Sequence, residues 1–408
     1  MSPVAAGMRW ASACSVLAHG ASAAREAAIQ VRDHLGEGPV DLVLAFYTPH
    51  HVSAAPEVAQ VLRELLTPGC LMGASAHGVI SHEHEVETGA ALSLVAARLP
   101  GVQVHPFVLM SEMWQPGSEG SLAFAQACPG AHGAELVLLL ADPFTLDIER
   151  VLATFNRHAT GVRVVGGMAS AGGKPNSNVL MLNDWVANEG GVAVALHGDL
   201  RCDVIVSQGC RPIGPPLEVT RANRNLVIEL DGQPALERIE EVLQSLAPVE
   251  QERLERGLYV GRPVNAGAEG RGDYLIRNLL GADRERGVVA IGDLAKEREK
   301  LRLHVRDADT AREDMELLLS PQSFDSKAEG ALLFACNGRG TGLFGKPDGD
   351  IVPLQQALGG VPTAGMFCAG EIGPVGASNF LHGHTASIAI VRGGRAPAGS
   401  EDVPPLGD

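Results

Sequence analysis

The stretch 330–350, GALLFACNGRGTGLFGKPDGD, decides how the rest of the chain is read. Ala331 to Phe334 are apolar without alternation, the pattern of a strand buried on both faces. The glycine-rich continuation carries Cys336, Asn337 and Arg339, so backbone freedom and chemistry coincide at a strand exit. Two other segments open in the same way, DLVLAFYTPH at 41–50 and ELVLLLADPFT at 135–145. A helical spacing follows each opening. Val58, Val61, Leu62 and Leu65 share one face, as do Ile148, Val151, Leu152 and Phe155, and in the third copy Ile351, Leu354 and Leu358. Ser53, Asp147 and Asp350 stand where N-caps belong. Each copy then closes on a short strand with two glycines five positions apart: GASAHG at 73–78, GMASAG at 167–172 and GMFCAG at 365–370. The spans Asp41 to Gly73, Glu135 to Gly167 and Ala331 to Gly365 are nearly equal, so the chain repeats a strand–helix–strand unit.

Antiparallel-looking strands follow each glycine pair: AALSLVAARL, GGVAVALHG and HTASIAIVRGG. The expected fold class is therefore α/β, with mixed sheets and packed helices built from the repeated units and arranged in two halves. Between the second and third copies the texture changes to a turn-rich run, CRPIGPPLEVTRANRNLVIELDGQP. The pattern predicts a helix from Asp231 to Leu246 with Pro234 in its first turn, strands at RGLYVGRP and GVVAIGD, and an N-capped helix over 307–319. A boundary near 210–220 divides the chain into modules at 9–212 and 213–393, leaving 394–408 as a disordered tail.

Composition narrows the classes of partner. The formal net charge is −16 and only five residues are lysine, which argues against nucleic acid and against an anionic membrane surface. The first residues lack the basic and apolar regions of a signal peptide, and no apolar run reaches the ~18 residues of a spanning helix. Seven scattered cysteines without a CxxC fit reduced thiols, so a cytoplasmic protein is expected.

With these motifs in view, the chain resembles the FIST-domain proteins. LLFACNGRGTGLFG, TAGMFCAGEIGPVG and NFLHGHTASIAI look like the C-terminal FIST signature, and they are the specific part of the match. LMGASAHGVI, EVE at 85–87 and VVGGMASAGG are similar to the glycine motifs of its N-terminal half. ELDGQPALERI and the run from DYLIRNLLG to DADTAREDM are similar to its middle part, so the likeness covers residues 9 to 393. The resemblance implies an intracellular sensory module that binds a small ligand, with amino acids suggested. It also implies haem and nitric-oxide sensing in one subgroup. Relatives are fused to signalling outputs; here no output domain is legible, so a separate signalling partner is expected. Many relatives have a cysteine after the first glycine, where this chain has Ala74.

The candidate ligand shell is Asn337, Arg339 and Glu371, with Ser75, Ser170, Gly340, Gly370, Asn379 and His382 around it. Arg339 and Glu371 either match the two ends of a zwitterion or form a structural pair between loops. Cys336 and Cys368 are candidate nucleophiles for a cysteine-dependent enzyme, with His382 or His384 as base; the alternative is a pair of small buried hydrophobes. His82 with His84, and His382 with His384, share a strand face. His382 is the candidate haem ligand, but neither pair supplies the three or four ligands of a metal site.

Overall fold

A computed structural model of the chain describes residues 7–114, 120–254, 257–264 and 271–394. Apart from Gly394, the tail expected to be disordered lies outside the described residues. Among the described residues no helix is long and apolar enough to cross a membrane.

All three repeat units form. Leu42–Tyr47 and Cys70–Ser75 run parallel and are joined by helix Ala55–Leu66. Leu136–Ala141 and Val164–Met168 are joined by Ile148–His158, and Gly330–Cys336 and Thr363–Cys368 by Ile351–Leu358. The unbroken apolar runs follow from burial on both faces, since every residue of Leu42–Tyr47 and Leu136–Ala141 is buried. Asp147 caps its helix, accepting the Arg150 N–H at 3.1 Å. Ser53 does not cap, because a 3-10 turn over Pro49–Ala54 precedes the first unit's helix.

Each unit is larger than its sequence signature. An extra strand and helix come first: Arg9–Ser15 and Gly20–Leu35, then Val102–Leu109 and Ser121–Ala127, then Leu200–Gln208 and Ala308–Leu319. The antiparallel strands Leu92–Arg98, Gly191–Gly198 and Thr385–Gly393 lie between the extra strand and the parallel pair in every sheet. In the third unit alone, residues 210–306 are inserted between the extra strand and its helix.

That insertion is an antiparallel barrel. Its strands run in the order Cys210–Asn223, Lys300–Arg306, Leu258–Pro263, Tyr274–Asp283, Val288–Ile291 and Leu226–Leu230, and pairing of the first with the last closes the ring. Ile213, Leu217, Val227, Val260 and Leu303 fill it, with helix Ala235–Ser245 packed on through Ile239 and Val242. The helix starts later than its sequence pattern, because Gln233–Pro234 pairs with Leu226–Leu230 as a short strand.

The three units trade hairpins in a circle. The hairpin after the first unit's parallel pair, Val79–Ile80 with Glu85–Val86, extends the third unit's sheet beside Thr363–Cys368. Leu180–Leu182 with Trp185–Ala187, from the second unit, pairs with Cys70–Ser75 of the first. Glu371–Val375 with Ser378–His382, from the third, pairs with Val164–Met168 of the second. The result is a pseudo-threefold arrangement around one shared core, where Phe46, Leu138 and Leu332 meet, with helices on the other face of each sheet.

The strand ends repeat the same circle. Gly73, Gly166 and Gly365 face Ala45, Leu139 and Leu333 across the parallel pairs, and a Cβ at any of them would collide with the facing carbonyl oxygen. The second unit's equivalent glycine is thus Gly166, not Gly167. Gly167 instead makes room for the Cys368 sulfur. Counting from these glycines, the N–H four residues on reaches the carbonyl two residues on in the next unit. Ser170 N–H donates to Ser75 O at 3.2 Å, and Ala369 N–H to Met168 O at 3.1 Å. At the third joint the Ser170 hydroxyl intervenes, accepting His77 N–H at 2.8 Å and donating to Phe367 O at 2.6 Å. Ser170→Ala should therefore lower stability by about 1–3 kcal/mol, the cost of buried partners left unmade. A urea unfolding midpoint equal to that of the wild type would show that the hydroxyl bridge does not tie the joint.

Candidate functional site

In the third unit's sheet, Gln208 pairs with Thr385 and Cys336 with Cys368, so three strand exits and one strand entry line up along one edge. Open α/β sheets hold ligands at such carboxyl edges. In this unit the barrel sits over the edge. The chain enters it at Gly209, whose N–H donates to His384 O at 3.0 Å, and leaves it at Asp307, whose N–H donates to Gly209 O at 3.2 Å.

Arg339 is fully buried here, and so is its partner. Its Nε and Nη2 donate to Asp350 at 2.7 and 2.6 Å, a two-pronged ion pair. The pairing of Arg339 with Glu371 considered from the sequence is thus replaced by one with Asp350. Glycine suits position 209, because a Cβ there would stand 2.9 Å from the His384 carbonyl oxygen and 3.0 Å from Arg339 Nη1. Drawn to the guanidinium, the Asp350 carboxylate does not cap the following helix. Glu85 does so instead, accepting the N–H groups of Asp350 and Ile351 at 2.8 and 2.9 Å from the first unit's donated hairpin. Glu87 of the same hairpin takes the Thr341 N–H and hydroxyl at 2.8 and 2.6 Å.

Glu371 opens the hairpin that the third unit donates. One oxygen accepts the N–H and hydroxyl of Thr385 at 3.1 and 2.8 Å. Burial raises its carboxyl to about 8, against the opposing pull of the Thr385 hydrogen bonds and Arg339. The Cys336 sulfur lies beside it, near the backbone N–H groups of Gly338 and His384, without closing a well-formed bond to the free oxygen. Burial and Glu371 push the Cys336 thiol up to about 12, and Cys368 is also raised by burial. Cys368 is wholly buried as expected, whereas Cys336 is only partly buried.

The barrel adds Arg306, Tyr259 and Asn278. The Tyr259 ring packs tilted against His384, with ring centroids 4.3 Å apart, and His384 Nε2 meets Asn278 Oδ1 at 3.0 Å. Burial, with Arg306 and Arg339 nearby, lowers His384 to about 4, so its ring is neutral at pH 7. Among the described residues, buried atoms without a hydrogen-bond partner gather at this junction: Arg306 Nε, Arg339 Nη1, Glu371 Oε1 and His384 Nδ1, with Gln208 Oε1 at the neighbouring strand exit. Arg306 also lines a surface cleft of about 440 Å³ with Arg312, Thr341 and Phe344.

The other expected site residues lie elsewhere or are occupied. Asn337 is exposed at the strand exit. The Ser75 hydroxyl accepts Val179 N–H at 2.8 Å, and Ser170 bridges the joint described above. Asn379 ties the donated hairpin to the second unit, accepting Val164 N–H at 2.8 Å and donating to Val162 O at 2.9 Å. Gly340 packs against the Glu87 carboxylate, and the Gly370 carbonyl accepts Met168 N–H at 2.8 Å. His382 does not fit as a haem ligand, since its ring is buried in the hairpin with Nε2 at 3.0 Å from Gly373 O. Asp350, Arg306 and Tyr259 escaped the sequence reading as site residues. Glu85 and Glu87 did carry a signal, the EVE motif.

Family models match this chain over both halves: the FIST N domain over residues 41–233 and the FIST C domain over 235–374. The chain belongs to the FIST family. FIST domains are sensory domains of signal transduction; here the N domain runs from the first unit's parallel pair through the second unit into the start of the barrel, while the C domain takes in most of the barrel and third unit. An uncharacterized protein of Mycobacterium tuberculosis (strain CDC 1551 / Oshkosh) is 36% identical over 372 residues, covering 90% of this chain and 95% of that one. An uncharacterized protein of Mycobacterium bovis (strain ATCC BAA-935 / AF2122/97) is 37% identical over 373 residues, with the same coverage. A crystal structure of cyanuric acid hydrolase from A. caulinodans shares 8% identity at a TM-score of 0.36, covering 95% of this chain and 100% of that one.

Two measurements test these electrostatics. Removing one member of a buried ion pair strands the other, so Arg339→Ala should cost about 3–5 kcal/mol, and Asp350→Ala a similar amount. A loss under about 1 kcal/mol for both would show that the pair is solvated. Glu371 is held protonated in the fold up to about 8 but ionises near 4.5 when unfolded. The folded state therefore binds the extra proton, and this group's contribution to stability falls as pH rises through that window. Glu371→Gln should gain on the wild type in urea midpoint between pH 5 and pH 8. Parallel curves for the two proteins would refute the shift.

Proposed function

We propose that this FIST protein senses a small carboxylate-bearing metabolite held between its barrel and its third unit. One observation carries the reading: the four unpartnered buried atoms of Arg306, Arg339, Glu371 and His384 gather where the barrel meets the third unit. Unmade buried hydrogen bonds are costly, so such a cluster calls for an occupant. At neutral pH the junction offers two guanidinium donors, a largely protonated carboxyl group and a neutral imidazole, as the directions of the shifts indicate. This set suits an anionic oxygen ligand. A zwitterionic metabolite suits it equally if its ammonium group draws the proton from Glu371. The site belongs half to the barrel and half to the third unit, so an occupant changes what holds the two together, which is how a ligand signal reaches a separate partner.

The test is a thermal-shift screen of the full chain against small mono- and dicarboxylates and amino acids, followed by calorimetry on the hits. Arg306→Met and Glu371→Gln should each weaken binding roughly tenfold to hundredfold, the effect of losing one charged hydrogen bond. A hit whose affinity survives both substitutions would place the ligand elsewhere. A screen without any shift would count against the sensor reading itself.

A further inference from the structure

We propose that Cys336 and Cys368 form a peroxide-reactive dithiol, with Glu371 as the group that takes the thiol proton. The two cysteines are register partners on adjacent parallel strands. Neighbouring strands lie ~4.8 Å apart, inside the ~4.4–6.8 Å Cα range of a disulfide. The position is also where the third unit departs from the repeat. Three residues past the facing pair, the first unit has Thr48 and Ala76 and the second has Asp142 and Ala169, so the thiol pair occurs only under the barrel. Thr48 and Asp142 are spent on local hydrogen bonds, to Ala91 N–H and to the Thr145 hydroxyl, whereas Cys336 keeps a partly open face.

The surroundings of Cys336 suit a thiol that reacts only when its proton has somewhere to go. Glu371 is wholly buried, with one oxygen unpartnered beside the sulfur. The N–H groups of Gly338 and His384 and the Arg306 guanidinium favour negative charge on sulfur as that proton leaves. Cys368 is wholly buried in the shared core, with Gly167 leaving room for its sulfur, so it meets no reagent except through Cys336.

The chemistry balances with a hydroperoxide as oxidant. Cys336 sulfur attacks the terminal peroxide oxygen; an S–O bond forms and the O–O bond breaks. The ionised form of Glu371, the minor one at neutral pH, takes the thiol proton and passes it to the departing alkoxide or hydroxide, which leaves as alcohol or water. The Cys368 thiol then attacks the resulting sulfenic acid, an S–S bond forms, and the sulfenic oxygen leaves as water. Two thiols lose two electrons and one peroxide gains them. A disulfide here would cross-link the two strands whose exits floor the junction. The inference goes beyond the ligand reading of the same place, and neither requires the other.

The experiment treats the full chain with hydrogen peroxide, quenches with an alkylating reagent, and maps thiols and disulfides by non-reducing peptide mass spectrometry. Cys14 is the internal control, being partly buried like Cys336 but with no cysteine as its register partner. The expected result is a Cys336–Cys368 disulfide while Cys14 remains a thiol. Cys368→Ala, which installs the residue found at both equivalent positions, should accumulate a sulfenic acid at Cys336 that dimedone traps. Glu371→Gln should slow oxidation on the order of a hundredfold. Oxidation of Cys14 as fast as Cys336, a disulfide joining any other pair, or an unchanged rate in Glu371→Gln would each overturn the proposal. Ligand binding that persists in Cys336→Ser would leave the sensor reading standing whatever the thiols do.

Discussion

An unpaired sheet edge is the constraint from which this architecture follows. Each parallel pair ends its sheet on a strand with glycine at its centre and open N–H and C=O groups along its outer side. Left exposed, such an edge invites association with other chains. The protein covers each one with the hairpin of a neighbouring unit, in a circle that leaves none of the three unfilled. No unit can complete its own sheet. The three units, drawn from both halves of the sequence, are therefore interlocked.

The same exchange brings charge to the third unit from far along the chain. The hairpin that seals its sheet delivers Glu85 and Glu87, which satisfy helix N-termini that local residues leave open. With Glu85 in the capping position, Asp350 is free to hold Arg339. A guanidinium with no exposure persists only with such a partner, because an unpaired buried charge would be too costly. The carboxyl edge of this sheet is thus a preassembled polar surface, and the inserted barrel closes over it. In the first two units the chain runs from extra strand to helix with no insertion. Breaking the repeat at that one point gives the molecule a junction between the barrel and the third unit.

The sequence carried a good part of this. Unbroken apolar runs such as LVLAFY and LVLLLA, with the helical spacing after them, were enough to establish three strand–helix–strand units, because double-sided burial and one-sided helix burial leave different periodicities. The glycines at 73 and 365 were legible because only glycine tolerates a facing carbonyl so close; at 166 and 167 two adjacent glycines hid which one faces it. The chemistry at the exit after Phe334 was legible too, since Cys336, Arg339 and Glu371 do gather there. The extra strand and helix of each unit went unread, having no glycine signature to mark them.

What only the tertiary structure decided were the partners. A hairpin of alternating residues looks the same whether it folds back on its own sheet or extends another, since main-chain hydrogen bonding is blind to the origin of the strand. For that reason the sequence could not show that Glu85 would cap a helix 265 residues away, that Asp350 rather than Glu371 would hold Arg339, or that Arg306 and Tyr259 of the barrel would face His384. Side-chain type and local spacing are properties of the chain. Which charges share a buried space is a property of the closed circle of units, and it exists only when all three are in place.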